Sequence, residues 1–185
     1  MRKKTKLIQD ARIARDTTSI TTALQEYDQA LDQYIPVLMM QAKVYWDKGH
    51  YAQVEKIFRQ AVEFCNEHET WKLNVAHVFF MHDGKFKEAV RYYEPFVRAR
   101  MDDLLSITAI VLANLCVSYI MTNQNADAEE LMKCVEKEED RIAIEEPNKQ
   151  VFHLCIVNLV IGTLYCSKGN FNFGIARIVK SLEPY

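Results

Sequence analysis

Residues 38–65 read LMMQAKVYWDKGHYAQVEKIFRQAVEFC, and this stretch decides how the rest of the chain is interpreted. Its first half places the small Ala42 and the aromatic Tyr45 three residues apart, a spacing that puts both on one face of a helix. Beyond Gly49, apolar residues recur at intervals of three and four, which predicts a second amphipathic helix. Glycine tolerates the left-handed conformation that ends many helices, so Gly49 predicts the turn between them.

This pattern of two helices around a turn recurs along the chain. Gly84 follows Gly49 by 35 residues, close to the period of about 34 residues that is typical of the tetratricopeptide repeat (TPR). Two later turns, at residues 123–125 and at Gly169, carry small and aromatic residues on their flanks in the same way. A single helix pair cannot bury its own apolar face, so the pairs must stack. We therefore predict an all-α fold, a TPR-type α-solenoid of stacked antiparallel helix pairs.

The predicted domain organisation is a helical lead-in followed by one continuous solenoid. The lead-in covers residues 1–34, and residues 35–185 hold about four degenerate TPR helix pairs. Pro36 suits the first turn of a new helix, where its missing N–H costs nothing. Pro95 falls inside a helical pattern and predicts a kink or an early helix end. The acidic, proline-containing segment 136–149 predicts an exposed loop.

Composition and charge argue against several classes of partner. Only 5 Gly and 4 Pro occur in 185 residues, which favours helices over strands. The net charge of −2 implies no nucleic-acid partner. Five cysteines without a CxxC pair predict free thiols in a reducing, intracellular setting. Residues 104–126 and 150–167 lack Asp, Glu, Lys and Arg, so a membrane hairpin is one alternative. The polar residues within these two stretches and the turns that follow them favour buried helices without membrane insertion.

The sequence contains no recognisable arrangement for catalysis or for binding a metal or cofactor. It has no Gly-rich phosphate loop, no GxSxG and no HExxH motif. Cys65 and His68 are three residues apart, but no second pair at ligand spacing accompanies them, so Cys65 is expected to be structural. No residues combine as nucleophile, base and orienting group. We predict a protein that is not an enzyme, with no catalytic residue, cofactor or metal ion.

The first helices of the pairs are expected to line a concave groove for a partner, as in other stacked repeats. Counting back from each turn gives the candidate groove residues Met39, Lys43, Trp46, Asn74, Val78, Met81, Ala113, Val117, Ile120, Met121, Leu159, Thr163 and Cys166. The set is mostly apolar and rich in methionine, which predicts an apolar partner segment or helix. The alternative for each residue is that it only packs against a neighbouring helix.

Several longer strings resemble one particular TPR family. They are YIPVLMMQAKVYW (34–46), EFCNEHETWKLNVAHVFFM (63–81), YYEPFV (92–97), AIVLANLCVSYIMTNQNADAEELM (109–132), HLCIVNLVIGTLYCSKGNF (153–171) and KSLEPY (180–185). Together they resemble the C-terminal half of the Fleer family, the TPR subunit of the intraflagellar transport B particle. Members of that family are longer and carry more repeats on the N-terminal side, so we expect this chain to be part of a longer protein.

The resemblance implies a non-catalytic scaffold or adaptor that wraps apolar segments of other B-particle core subunits. It implies a role in anterograde transport and cilium assembly, with the kinesin motor and ciliary cargo as indirect partners, and a link to polyglutamylation of axonemal tubulin. The implied location is the cilium or flagellum and the basal body region, with a cytoplasmic pool. The alternative is a general TPR co-chaperone or peptide adaptor. Such a protein clamps a peptide carboxylate, for which only Lys43 and Asn74 could serve here.

Overall fold

A computed structural model of the chain describes residues 1–146 and 148–182. Pro147, part of the predicted acidic loop, and residues 183–185 lie outside the described residues. The described part forms nine α-helices and one 3₁₀ segment, without a strand. The helices are α1 (Arg2–Ala14), α2 (Thr17–Trp46), α3 (Tyr51–Cys65), α4 (Glu69–Phe80), α5 (Phe86–Arg98), α6 (Ala109–Met121), α7 (Asn125–Glu145), α8 (His153–Ser167) and α9 (Phe171–Lys180). The 3₁₀ segment, Met101–Ser106, lies between α5 and α6.

The first of two compact units covers Met1–Val78. In this unit α1 packs against α2, and α2 packs against α3. Leu38 and Ala42 are one helical turn apart on α2 and are both buried, as is Phe58 on α3. Phe58 also packs edge-on against Trp71 of α4, with the ring centroids 6.4 Å apart. Apolar burial between successive helices therefore builds the core of this unit.

The second unit, Phe79–Tyr185, is built around α6. This helix packs against α5, α7 and α8, and α8 packs in turn against α9. Because neighbours cover α6 on several sides, Leu112, Leu115 and Cys116 are at most 1% exposed. A helix enclosed in this way carries apolar residues around most of its circumference, which accounts for the uncharged stretch noted in the sequence. Within the described residues, no helix combines the length and the apolar character needed to cross a membrane.

The four predicted turns share one backbone conformation. Gly49, Gly84, Asn123 and Gly169 all have positive φ angles, of 72°, 80°, 63° and 82°. At the first, third and fourth turns the following residue donates its N–H to the carbonyl oxygen of a tyrosine five positions earlier. These tyrosines are Tyr45, Tyr119 and Tyr165, and the N···O distances are 2.9, 2.8 and 2.9 Å. This bond from C″ to C3 is the signature of a Schellman helix end, so the turn residues act as predicted.

The helix start predicted at Pro36 is wrong, and of the kink or early helix end predicted at Pro95 the early end is wrong. The structure continues α2 through Pro36, so the predicted end of the lead-in at residue 34 lies inside a helix. Pro36 and Asp32, whose carbonyl loses its helical N–H donor, are both exposed, and water can satisfy the free carbonyl. Likewise α5 does not end before Pro95 but continues to Arg98. Exposure of Pro95 allows the same compensation by solvent.

The predicted acidic loop is also wrong over most of its length. Residues 136–145 form the last part of α7, and the connection to α8 is left to the residues after Glu145. Several charged residues lie on the exposed side of the helix, where Arg141 pairs with Glu138 at 2.9 Å and with Glu145 at 2.6 Å. Ile142 on the opposite side is buried. An amphipathic helix with spaced ion pairs was therefore mistaken for a polar loop.

Candidate functional site

The apolar groove candidates of the first unit differ in exposure. Met39 and Trp46 on α2 are both half-buried. Trp46 packs edge-on against Tyr51 across the Gly49 turn, with the ring centroids 4.9 Å apart. Val78 is only 2% exposed and belongs to the core rather than to a partner surface. In this unit, part of the side chains of Met39 and Trp46 therefore remains available to a partner.

The two polar candidates of the first unit already have partners within their own helices. The Nζ of Lys43 donates to the carboxylate of Asp47 at 2.8 Å. The side-chain amide of Asn74 donates to the carbonyl oxygen of Thr70, also at 2.8 Å. Both bonds join residues four positions apart, the usual spacing for contacts along one helix face. These groups do not form a preassembled clamp for a peptide carboxylate.

In the second unit, two neighbouring first helices present exposed apolar side chains. Met121 at the end of α6 is 38% exposed and Leu159 on α8 is 47% exposed. Thr163, one turn beyond Leu159, is also exposed, and its hydroxyl donates to the Leu159 carbonyl. Ile110 at the start of α6 is 60% exposed, although sequence reasoning missed it. We call Ile110, Met121, Leu159 and Thr163 the first-helix face. Met81, a further candidate in the second unit, lies just beyond the end of α4 and is 40% exposed.

The spacing that reveals Ile110 was present in the sequence. It precedes Val117 by seven residues, or two helical turns, and so lies on the same side of α6 as that candidate. The candidate residues on α6 began at Ala113, so this position was left out. The first-helix face therefore begins at the N-terminal end of α6.

Three other candidates are buried, and a fourth, Cys166, is half-buried against a neighbouring helix. Ala113, Val117 and Ile120 on α6 are 1%, 6% and 7% exposed, so they pack in the core. Cys166 on α8 points towards α9: a Cβ atom built on Gly174 of α9 would lie 2.5 Å from its Sγ. The helical period alone cannot distinguish these positions, because α6 is covered by three other helices.

An exposed apolar stripe on α2 was not predicted. Val37, Met40 and Val44 are 66%, 66% and 52% exposed, and their spacing of three and four places them on one side of the helix. That side is opposite to the one on which Leu38 and Ala42 are buried. The stripe adds a second apolar surface to the first unit.

Polar contacts hold α8 and α9 to the rest of the second unit. The Nε2–H of His153, at the start of α8, donates to the carbonyl oxygen of Ile107 at 2.8 Å. Near the end of α9, the Nζ of Lys180 donates to the carboxylate of Glu136 on α7 at 2.7 Å. These bonds join residues more than forty positions apart, so they position the α8 part of the first-helix face through tertiary contacts.

The cysteines have the properties of packing residues. All five are free thiols, and Cys65 and Cys116 are buried. Burial raises the pKa of the Cys65 thiol and raises that of Cys116 to about 12, so both remain protonated and unreactive near neutral pH. Across residues 1–146 and 148–182, no three His, Cys, Asp or Glu side chains are grouped closely enough to hold a metal ion.

Comparison with known proteins identifies relatives over the whole chain. The family model described as the intraflagellar transport protein 70 C-terminal domain matches residues 1–185. The chain is 63% identical to intraflagellar transport protein 70A of Xenopus tropicalis, 62% identical to that of Danio rerio and 60% identical to that of Homo sapiens, each over 185 residues. Each match covers 100% of this chain and 28% of the relative, so the chain spans little more than a quarter of those proteins.

A solved structure supports the fold. The crystal structure of MamA protein superposes with a TM-score of 0.51 at 18% sequence identity, covering 97% of this chain and 88% of MamA. At this identity the likeness concerns the fold alone. Together with the helix pairs and their shared turns, it confirms the predicted all-α, TPR-type α-solenoid class.

Proposed function

Because the chain belongs to the family of intraflagellar transport protein 70 C-terminal domains, we propose that it is a non-catalytic scaffold segment of an intraflagellar transport particle. The family assignment confirms the resemblance drawn from the sequence. The name of the relatives connects them with intraflagellar transport, and thus with cilia or flagella. Since the chain covers 28% of those relatives, the partners and activity of the whole protein belong to the proposal.

The observation that carries the scaffold proposal is the exposed apolar first-helix face. An exposed apolar surface on a folded unit indicates a place where another chain binds. Ile110 and Leu159 are 60% and 47% exposed on α6 and α8, two helices that pack against each other. Burying them contributes roughly 25 cal/mol per Å² of apolar area before the ordering costs of association are subtracted. The proposed occupant is an apolar segment of another core subunit of the particle.

The wider roles follow from the same proposal. Other B-particle core subunits are the direct partners, and the kinesin motor and ciliary cargo are indirect ones. The segment acts in anterograde transport and cilium assembly, and the link to tubulin polyglutamylation is delivery of a modifying enzyme by the particle. The protein occupies the cilium and the basal body region, with a cytoplasmic pool that awaits assembly.

The alternative, a general co-chaperone that clamps a peptide carboxylate, has less support. It requires cationic and amide groups that are free to bind a carboxylate. Lys43 is paired with Asp47, and the Asn74 amide donates to the Thr70 carbonyl. A clamp would have to break both interactions before it could bind a peptide.

The test introduces a charge on the first-helix face of the full-length protein and measures recovery of the other core subunits. Met121→Glu and Leu159→Glu replace exposed residues, so the fold should tolerate them, and we expect recovery to fall at least about tenfold. The control is Ile144→Glu, which alters an 81% exposed residue on α7 and should leave recovery unchanged. Val117→Glu is unsuitable, because Val117 is 6% exposed and a buried charge destabilises the fold itself.

Salt provides an independent check of the apolar mechanism. At about 1 M salt, interactions between exposed charges are screened beyond about 3 Å, whereas apolar burial is retained. We expect the complex of the wild-type protein with the core subunits to persist in about 1 M sodium chloride. If both face variants bind normally, or if that salt concentration dissociates the complex, the apolar first-helix face is not the contact.

A further inference from the structure

The third repeat, formed by α6 and α7 around the Asn123 turn, lacks an aromatic contact that the repeats around Gly84 and Gly169 have. Phe80 and Tyr165 each lie four residues before a turn residue, and each packs edge-on against a ring of the following helix. The contacts are Phe80 with Phe86 at 5.9 Å and Tyr165 with Phe173 at 4.6 Å between ring centroids. Tyr119 is the equivalent residue of the third repeat, but α7 contains no aromatic residue. The position equivalent to Phe173, four residues after the turn, is occupied by Asp127.

A cavity of about 140 Å³ lies at this place in the second unit, between α5, α6 and α7. Its apolar part is formed by side chains that include Val97, Leu115 and Leu131, and the Tyr119 ring lines it as well. A cavity of about 150 Å³ is large enough to hold a benzene molecule. The space therefore matches one side chain of moderate size.

The hydroxyl group of Tyr119 faces the cavity without a hydrogen-bond partner among the described residues. The residue is 5% exposed, and its hydroxyl forms no hydrogen bond with any described residue. Burial first, and then the nearby Glu94 carboxylate, raise the pKa of Tyr119 to about 12, so the hydroxyl is neutral and lies near that charge. Solvent reaches this oxygen, so a ligand that donates to it takes the place of a water molecule.

The cavity also carries an excess of negative charge. Its lining includes three carboxylates, those of Glu94, Asp127 and Glu130, against one guanidinium, that of Arg98. Arg98 is paired with Glu94 at 2.5 Å, and its side chain is 70% exposed. Asp127 and Glu130 form no salt bridge or side-chain hydrogen bond with another described residue. Asp127 lies in the first turn of α7, where the helix dipole favours a carboxylate, and Glu130 is exposed to solvent on the same helix.

We propose that this cavity binds a lysine side chain of a partner polypeptide. The aliphatic stem of such a side chain packs against the apolar wall, while its charged end lies among the carboxylates. The charged end has several N–H donors, which can serve Asp127, Glu130 and the Tyr119 oxygen together. The site is separate from the first-helix face and does not depend on the apolar contact proposed there.

The first experiment asks whether the cavity of the full chain takes a cation. The probe is n-butylammonium, which reproduces a lysine side chain, and the readout is the ¹³C-methyl NMR signal of Met101, which also lines the cavity. We expect saturable shifts at Met101, with the other methionine methyls as internal references. Butan-1-ol, which has the same length without the charge, should bind about tenfold more weakly, since hydrogen bonds to charged groups are the stronger ones.

Substitutions of the lining residues test whether n-butylammonium binds in this cavity. Asp127→Asn with Glu130→Gln, and separately Tyr119→Phe, should each weaken n-butylammonium binding, the double carboxylate change by about tenfold. Glu129→Gln is the matched control, because it removes one carboxylate from an exposed α7 residue that does not line the cavity. The proposal is overturned if Met101 shows no saturable shift, if butan-1-ol binds as well as the cation, or if Glu129→Gln weakens binding as much as the double variant.

The second experiment asks whether the cation belongs to a polypeptide. Carbodiimide joins a carboxylate to an amine only where the two are in contact, so it is applied to the assembled native particle. We expect peptides in which Asp127 or Glu130 is joined to a lysine of another chain, and we expect Glu130→Gln to remove the Glu130 product. If free amines bind the cavity but neither carboxylate is joined to another chain, the ligand is a small amine and the partner proposal is wrong.

Discussion

Gly162 of α8 and Gly174 of α9 lie directly against each other where the two helices cross. A Cβ atom built on Gly162 would lie 2.8 Å from the Gly174 carbonyl oxygen, and one built on Gly174 would lie 2.7 Å from the Gly162 carbonyl oxygen. Contacts under 3.0 Å to backbone cannot be relieved by rotating a side chain. The crossing thus requires glycine on both helices, although glycine inside a helix costs roughly 1 kcal/mol relative to alanine.

Gly162→Leu should strongly destabilise the protein. The added side chain must displace α9 backbone, and overpacking of this kind typically costs about 1–3 kcal/mol. Gly162→Ala should also destabilise it, despite the better helix propensity of alanine, because the Cβ alone meets backbone. Thr163→Ala is the control, since the neighbouring residue is exposed. Urea denaturation measures all three variants; wild-type stability of Gly162→Leu would show that the close crossing does not form.

Asn123 should tolerate glycine but not alanine. Its φ of 63° lies in the left-handed region, which costs an ordinary L-residue roughly 1–2 kcal/mol and which glycine adopts freely. Asn123→Ala should therefore lower the free energy of unfolding by about that amount, whereas Asn123→Gly should preserve or raise it. Asn125→Ala, two residues later in regular helix, is the comparison. Equal stability of the Ala and Gly variants at position 123 would contradict the assigned turn.

Glu139 should make stability depend on pH. Its Oε1 accepts the N–H of Leu154 at the start of α8 at 2.7 Å, and burial outweighs this bond and raises the pKa of the carboxyl group. Because the folded-state pKa is above the unfolded one, this group favours folding most when protonated. That contribution is lost as the pH rises through the folded-state pKa.

The test of Glu139 compares two variants by urea denaturation at about pH 4 and about pH 7. Glu139→Gln keeps an acceptor for Leu154 and cannot ionise, so its stability relative to wild type should increase with pH. Glu139→Ala removes the acceptor and should destabilise α8 by about 1 kcal/mol, the usual value of a helix cap. A pH-independent difference between wild type and Glu139→Gln would refute the expected pH dependence.

The 185-residue chain should self-associate through α9. The exposed side of this helix carries Ile175 and Val179, which are 54% and 60% exposed, and Phe171 one turn earlier is 60% exposed. An apolar helix side without charge favours association in water. Sedimentation velocity should show a mass that rises with concentration, and Ile175→Lys with Val179→Lys should reduce it. The control is Ile144→Lys on α7; a wild-type monomer at every concentration would exclude this contact.

The helix pairs and their turns could be read from the sequence because they depend on short-range chemistry. A positive φ costs glycine and asparagine less than other residues, so Gly49 and Asn123 were recognisable as turn residues. The helical period and the family strings are equally local. Misassigned stretches, such as the α7 residues near Arg141, were those in which an exposed helix and a polar loop have the same composition.

The surfaces were decided by tertiary packing. Val117 and Ile110 lie on the same side of α6, yet one is 6% and the other 60% exposed, because burial depends on which neighbouring helix covers each turn. The cavity beside Tyr119 is likewise invisible in the sequence, since it arises where α5 and α7 pack around a tyrosine that lacks its aromatic partner. Periodicity determined which residues share a helix face, but long-range contacts such as that of His153 with Ile107 determined which faces stayed open.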